Sequence, residues 1–250
     1  MNVSGGIDSA VTISIINEAK KHPNTPIKKI VGVSQPIHST KESLDRARRH
    51  CHELGVEYIS VDQSDLHKEL QSKVEAEMGY AAEDFASGQL RSYMRTPVAY
   101  FVAQMLTQRK LPAIVVGTGN YDEDGYLLYY CKAGDGIADV QLISELHKSE
   151  VYTIAKRLGV PKEIAGAAPS ADLWSGQTDE EELGFGYDAV ELYTQWVDKD
   201  RTWKAQKLAG LSSAAQEQLT KLGEAIETIH QRNLHKRSFP VNLEYPFFHK

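Results

Sequence analysis

The chain has little cysteine, and Cys51 and Cys131 alone cannot build a disulfide framework, so a fold stapled by cross-links is excluded and a reducing cytoplasm is the expected setting. It has no apolar run long enough to span a bilayer and no basic start leading into an apolar signal segment, so no membrane association is expected. It also lacks an excess of positive charge. Lys and Arg number 28 against 34 Asp and Glu, a net charge of -6, which argues against broad nucleic-acid binding while leaving room for a local basic cluster that receives an anion. Internal repeats and low-complexity segments are absent as well. What is present, 250 residues of which 41% are hydrophobic, suffices for one good core. A single domain over 1–250 is expected, with a helical C-terminal part from about residue 185.

Segments rich in β-branched residues alternate with helical ones. Strands are expected over 29–34, 57–61 and 113–116, and helices over 41–54, 90–109, 147–158, 187–197 and 213–232. The period switches repeatedly between two and 3.6, as βαβ units require, which predicts an α/β fold: a doubly wound, mostly parallel sheet with helices on both faces. Residues 121–136 read as a glycine- and aromatic-rich connection. Residues 166–183 read as a long polar loop of the functional kind, and 239–248 as an apolar, proline-containing tail.

The chemistry starts at Ser4-Gly5-Gly6-Ile7-Asp8-Ser9, which runs directly into a helix-capable stretch. Two glycines allow positive φ and close backbone approach to an anion, and the helix start adds free N–H donors and partial positive charge. Ser4 and Ser9 add hydroxyls. A carboxylate beside polyphosphate is repelled unless a cation lies between them, so Asp8 is suited to hold Mg²⁺. The bland alternative is an ordinary turn with a capped helix. No Gly-Lys-Ser or Gly-Lys-Thr closes the loop, so it is not of the Walker type. It resembles the pyrophosphate loop of the N-type ATP pyrophosphatases, whose fold is adenine nucleotide alpha hydrolase-like.

Further motifs follow in order: Gly117-Thr118-Gly119-Asn120 with Asp122, Glu123 and Asp124; Cys131-Lys132-Ala133-Gly134-Asp135-Gly136 with Asp139; Leu146-His147-Lys148-Ser149; Ala168-Pro169-Ser170-Ala171-Asp172; Gly176-Gln177-Thr178-Asp179-Glu180; and His235-Lys236-Arg237. Together with the loop, this series resembles the NAD synthetase family, in its amidating domain, over most of the chain and least in 32–88. The resemblance implies that MgATP adenylates the carboxylate of nicotinic acid adenine dinucleotide, releasing pyrophosphate, and that ammonia then displaces AMP. It implies that residues 4–9, Thr118, Lys148 and Ser170 bind ATP and that Asp8 and Glu123 bind Mg²⁺. Lys132, Asp139, His235 and Lys236 would bind the dinucleotide, with Asp8, Lys132 and Lys148 the catalytic set. Without it, Lys132 and Lys148 read as surface lysines, Asp139 as a turn cap and 235–237 as a basic helix end.

The sequence also departs from the family pattern. Tyr93 stands at the second Arg of an Arg-x-Arg-Met segment, leaving Arg91 or Arg95 for the substrate. One extra residue separates Glu123 from Lys132, so Asp122 or Asp124 competes with Glu123 as metal ligand. Cys131 reads as a small packing residue. Only Met1-Asn2-Val3 precede the loop where relatives carry a helix and a central strand, which predicts a chain shortened at its front, with neighbouring strands left unpaired at about 1–3 kcal/mol per buried group. A glutaminase partner or upstream domain stays open as the source of ammonia. The family resemblance implies a homodimer, for which the helix over 90–109 with Tyr100, Phe101 and Leu106 is an interface candidate, core packing being the equal alternative. Two other readings compete: a related ligase acting on nicotinic acid mononucleotide or another acceptor, and a catalytically silent nucleotide-binding protein.

Overall fold

β-branched residues concentrate just before Ser34, and in the computed structural model, which describes residues 1–170 and 178–238, they form β1 (Val31–Ser34), buried at every position. β1 pairs in parallel with β2 (Glu57–Ser60), with Val31 opposite Glu57 and Ser34 opposite Ser60. The crossover is α2 (Lys41–Glu53), whose first turn is capped by Thr40 Oγ1 accepting the Ser43 N–H. On the opposite edge of β1 the first three residues run parallel to it. There the Val3 N–H donates to the Val33 carbonyl and the Val33 N–H to that of Met1.

A second parallel pair, β3 (Val116–Gly117) and β4 (Val140–Gln141), forms its own two-stranded sheet. The expected α/β character with parallel pairing is present, but in two short sheets in place of one continuous sheet. The strand expected over 113–116 is cut to two residues for a local reason. Asp139 closes on Val115 twice, its N–H donating to the Val115 carbonyl and its Oδ2 accepting the Val115 N–H, so the ladder starts only beyond that residue.

Helix α1 (Ile7–Lys20) lies between two apolar clusters and is buried on more than one face along its first two turns, where Ser9, Thr12 and Ser14 are buried beside the apolar residues. Ile7, Ala10 and Val11 pack against Ile143, Val151, Ala155, Val160 and Ile164. Ile13 packs with Val3, Ile30, Ala47, Cys51 and Val56. Full burial of side chains such as Val11 and Ile13 contributes about 1.5–3 kcal/mol each. The first cluster joins α1 to α5 (Lys148–Arg157) and the short α6 (Lys162–Ala165), which fixes the two helix starts that carry Asp8 and Lys148.

Helices α3 (Ser64–Met78) and α4 (Asp84–Thr107) come between the two strand pairs along the chain. The helix expected from residue 90 starts six residues earlier, so Ser87-Gly88 lie inside it and Pro97 falls mid-helix. Residues Tyr121–Leu127 form a π-helical segment within the expected connection. Helices α7 (Asp179–Leu183), α8 (Tyr187–Val197), α9 (Arg201–Ala209) and α10 (Ser213–Asn233) follow. A third core of Leu127, Phe185, Tyr187, Val190 and Ile226 seats α8 and α10 on the π-helical segment. The polar loop expected over 166–183 thus ends in a helix, while its centre, 171–177, and the tail 239–248 lie outside the described residues. No described helix is long and apolar enough to cross a membrane.

Candidate active site

The loop before α1 is shaped by its own groups. Gly5 has φ +83°, and a Cβ there would collide with the Ser43 carbonyl of α2, so both conformation and space demand glycine. Arg46 Nε donates to the Gly5 carbonyl at 3.0 Å. Ser4 Oγ accepts the Gly6 N–H, and Ser9 Oγ accepts the Ser4 N–H while donating to the Gly6 carbonyl. Ile7 is buried and anchors the first turn in the core. The result is a rigid turn on a helix N-terminus, a setting suited to anions.

Asp8, in that first turn, faces the start of α5. Lys148 Nζ donates to Asp8 Oδ2 at 2.7 Å and to Glu123 Oε1 at 2.5 Å, and Lys148 is only 5% exposed. Asn120 ties the same point together. Its Nδ2 donates to Asp8 Oδ1 at 3.0 Å and its Oδ1 accepts the Glu123 N–H at 3.0 Å. The three consecutive acids have separate fates. Asp122 is fully buried; its Oδ2 accepts the Lys148 N–H at 2.7 Å and its Oδ1 lies 2.7 Å from His147 Nδ1, so it anchors the N-terminus of α5. Glu123 meets Lys148. The Asp124 carboxylate lies in the space that a Cβ on Gly119 would occupy. A π-helical turn, often found at functional sites, gives these neighbours their divergent directions.

The electrostatics of this cluster are lopsided. Burial pushes the Glu123 carboxyl up to about 7, with Asp8 and Asp179 reinforcing the shift and Lys148 opposing it. Burial, then Glu123, Asp135 and Asp8, hold Asp124 well above the usual carboxylate range. Burial alone would depress the Lys148 ammonium, but Glu123 and Asp8 outweigh it and raise it above the ordinary lysine range. Asp8 and Glu123 thus share one ammonium by direct bonds, and Asp124 and Asp179 lie within range of its charge. The donor set, hard carboxylate oxygens with too little positive charge among them, fits a divalent cation of the Mg²⁺ type. A separate trio, Asp122, His147 and Glu191, has ligand atoms within 4.8 Å of one another, but both Asp122 oxygens are already engaged on α5.

The residues expected to hold the dinucleotide meet partly. Lys132 Nζ donates to the His235 carbonyl at 2.9 Å and that of Ser238 at 2.5 Å, and Lys236 Nζ donates to the carbonyls of Leu128 and Tyr130 at 2.8 and 2.7 Å. Arg237 Nη2 reaches the Gly125 carbonyl. Lys132, His235 and Lys236 therefore form one reciprocal clasp between the connection after the π-helical segment and the end of α10. Asp139 stands elsewhere, accepting from Tyr100 Oη and the Val115 N–H. Arg95 is half-buried, and its carbonyl accepts from Gln35 Nε2. Thr118 is half-buried beyond β3, and Ser170 is exposed at the edge of the described residues. Burial pushes the Cys131 thiol up, which suits a packing residue and not a nucleophile. Sequence reasoning assigned no role to Asn120, Asp179 or Tyr187. The first two stand in quoted motifs, whereas Tyr187 carried no signal of its own.

A glycine loop on a helix N-terminus, facing paired carboxylates and a buried lysine within a parallel α/β fold, defines a nucleotide-dependent enzyme of the N-type ATP pyrophosphatase type. The family model described as NAD synthase matches residues 1–240, and the chain belongs to this family. It is 34% identical over 246 residues to the NH3-dependent NAD+ synthetase of Alkaliphilus oremlandii, covering 96% of this chain and 86% of that protein. The structure of NMN synthetase from Francisella tularensis matches with a TM-score of 0.78 and 27% identity, over 98% of this chain and 88% of that one. NH3-dependent NAD synthetase from Campylobacter jejuni matches with a TM-score of 0.71 and 21% identity, over 97% and 87%, which speaks for the fold.

Proposed function

We propose that this chain is a carbon–nitrogen ligase that amidates the nicotinate carboxylate of nicotinic acid adenine dinucleotide, giving NAD, AMP and pyrophosphate. The observation that carries the reading is the convergence of Asp8, Lys148 and Glu123 beside the glycine loop of an NAD synthase family member. A substrate carboxylate oxygen attacks the α phosphorus of ATP, and the bond to pyrophosphate breaks. Ammonia then attacks the acyl carbon of the adenylate, the AMP oxygen leaves with the bonding pair, and the nitrogen gives up a proton to become the amide. Both steps crowd negative charge, so positioning and charge neutralisation are the main tasks.

Residues 4–9 receive the departing pyrophosphate on backbone N–H groups and the Ser4 and Ser9 hydroxyls, with Thr118 and Ser170 contacting ATP. Asp8 and Glu123 would hold Mg²⁺, which would supply charge neutralisation between these acids and the triphosphate. The Lys148 ammonium, held between these two carboxylates, offers its charge to the phosphates of ATP. Lys132, His235, Lys236, Asp139 and Arg95 take the substrate. The nitrogen donor is free ammonia and not a glutaminase partner, in keeping with the NH3-dependent name of the Alkaliphilus relative.

The domain works as one unit, in the cytoplasm, as a homodimer. Support for the dimer is the apolar face of α4, where Phe101 and Met105 are 66% and 45% exposed. Helix α3 carries a second exposed apolar row, Leu66, Leu70, Val74 and Met78. Of the three residues singled out on α4, Phe101 stands on this face, whereas Tyr100 packs against the core of Ala99, Ala103 and Val115.

A second reading has an observation of its own. The Francisella structure is named an NMN synthetase, and Tyr93 replaces an expected Arg, so nicotinic acid mononucleotide is the rival acceptor. Amide formation from each acid at matched concentrations, with MgATP and ammonium, decides between them. A higher kcat/KM for the dinucleotide is expected; preference for the mononucleotide transfers the assignment, and nucleotide uptake with neither amide nor pyrophosphate formed would identify a silent binder.

A further inference from the structure

Helix α2 holds its basic side chains in two different states. Lys41 and Arg48 both pair with Asp45, at 2.5 and 2.7 Å, and Arg49 pairs with Glu163 at 3.4 Å; all three are exposed. Arg46 is half-buried, and among the described residues no carboxylate pairs with it. Its Nε donates to the Gly5 carbonyl at 3.0 Å, and no acceptor among the described residues meets Nη1 or Nη2. Withdrawing a guanidinium from water without an acid beside it is costly, so such a group points to an anionic ligand. Its place is set by the packing of α2. The Ser43 carbonyl, one turn before Arg46, lies where a Cβ on Gly5 would stand, so the side of α2 that carries both residues faces the glycine loop. The start of α1 has no side-chain cap, which leaves N–H donors there for the same anion. Lys148 shares its one charge with Asp8 and Glu123 and does not offset a pyrophosphate by itself.

We propose that Arg46 is a catalytic residue of the adenylation step, forking Nη1 and Nη2 onto the pyrophosphate as it leaves. The proposal rests on the ligase reading above. As the substrate carboxylate oxygen bonds to the α phosphorus, the bond from that phosphorus to the bridging oxygen breaks. The electron pair stays on the bridging oxygen, and negative charge gathers on the β phosphate. Residues 4–9 meet it with N–H groups and hydroxyls, which carry no net charge, and Arg46 adds a full positive charge from the α2 side. Its Nε bond to the main chain holds the fork in a fixed direction, and two parallel N–H groups match two phosphate oxygens. In-line displacement places the acceptor on the opposite side of the α phosphorus, so Arg46 acts on the leaving group and not on the acceptor.

The test is calorimetric binding of magnesium pyrophosphate and of AMP, beside acceptor-dependent pyrophosphate release, in the wild type, Arg46→Gln and Arg46→Met. Glutamine keeps a donor for the Gly5 carbonyl and removes the charge, whereas methionine removes both. Both variants are expected to bind pyrophosphate about tenfold more weakly, or worse, and to release it about tenfold more slowly, the loss of one charge-assisted hydrogen bond, with AMP affinity and the acceptor KM close to those of the wild type. Pyrophosphate affinity of wild-type strength in Arg46→Gln would make Arg46 a prop for the loop and overturn the proposal. Equal weakening of AMP and pyrophosphate would overturn it as well. Should the variants not fold, the wild type decides: magnesium pyrophosphate should protect Arg46 from phenylglyoxal, read by peptide mass spectrometry, while Arg48 and Arg49 react as before. Modification of Arg46 at the same rate with and without pyrophosphate would overturn the assignment. A wild type that binds pyrophosphate yet never releases it in response to the acceptor would count against the ligase reading instead.

Discussion

Two regions of this molecule gather lysines, and they treat them in opposite ways. At the front, Lys148 is buried and its charge is met by charge, from Asp8 and Glu123. At the back, Lys132 and Lys236 are half-buried and donate to main-chain carbonyls. Removing the front lysine strands two acids in a poorly solvated place, whereas removing a rear lysine loosens a clasp. The front is electrostatically complete only with a cation. The rear has positive charge to offer an anionic substrate at the cost of hydrogen bonds that water or substrate can replace.

The comparison can be broken most sharply at Asp8. Asp8→Ala should lower pyrophosphate release by about 100-fold or more, since it removes a charge from the point where the triphosphate and its cation meet. A drop of only a few-fold would remove the front cluster from the chemistry. Next comes Lys148→Met, expected to lower folding stability by about 3–5 kcal/mol in denaturant titration, the cost of leaving buried charge uncompensated. Combining it with Glu123→Gln should recover part of that loss. Lys236→Ala should cost less, about 1–2 kcal/mol, and raise the KM for the acceptor more than that for ATP. Equal effects on both substrates would erase the distinction between the two regions.

The smallest expected effect is on pH dependence. With its carboxyl pushed up to about 7 against an ordinary 4.5, Glu123 binds a proton in the folded state that it lacks unfolded between those values. Its contribution to stability therefore falls as pH rises through that window. Asp124 and Asp179, also raised, act in the same direction. Without Mg²⁺, the wild type should lose more melting temperature between pH 5 and pH 8 than Glu123→Gln does; parallel curves would contradict the assignment.

Much of the front region was legible in the sequence because its demands are local. Gly5 needs positive φ and sits against a carbonyl, and Asp8 follows at a fixed distance along the same helix start. The division of labour among Asp122, Glu123 and Asp124 was not legible, since it depends on a π-helical turn and on where α5 starts. The pairing of Asp179 with Tyr187 was hidden for a similar reason: the two sit on different helices and meet only after folding. Helices α3 and α9 escaped notice because neither has a clear core-facing stripe; only His67 is buried on α3 and nothing on α9. The shortening of β3 hinged on Asp139, which the resemblance placed with the substrate and which here ties Val115 and Tyr100.

The most direct measurement of the central claim is pyrophosphate release from MgATP by this chain, with nicotinic acid adenine dinucleotide and ammonium added singly and together, beside the Asp8→Ala variant. Release that requires the dinucleotide acid and is lost in the variant is the predicted result. Release that is indifferent to the acceptor, or that survives without Asp8, would contradict the account.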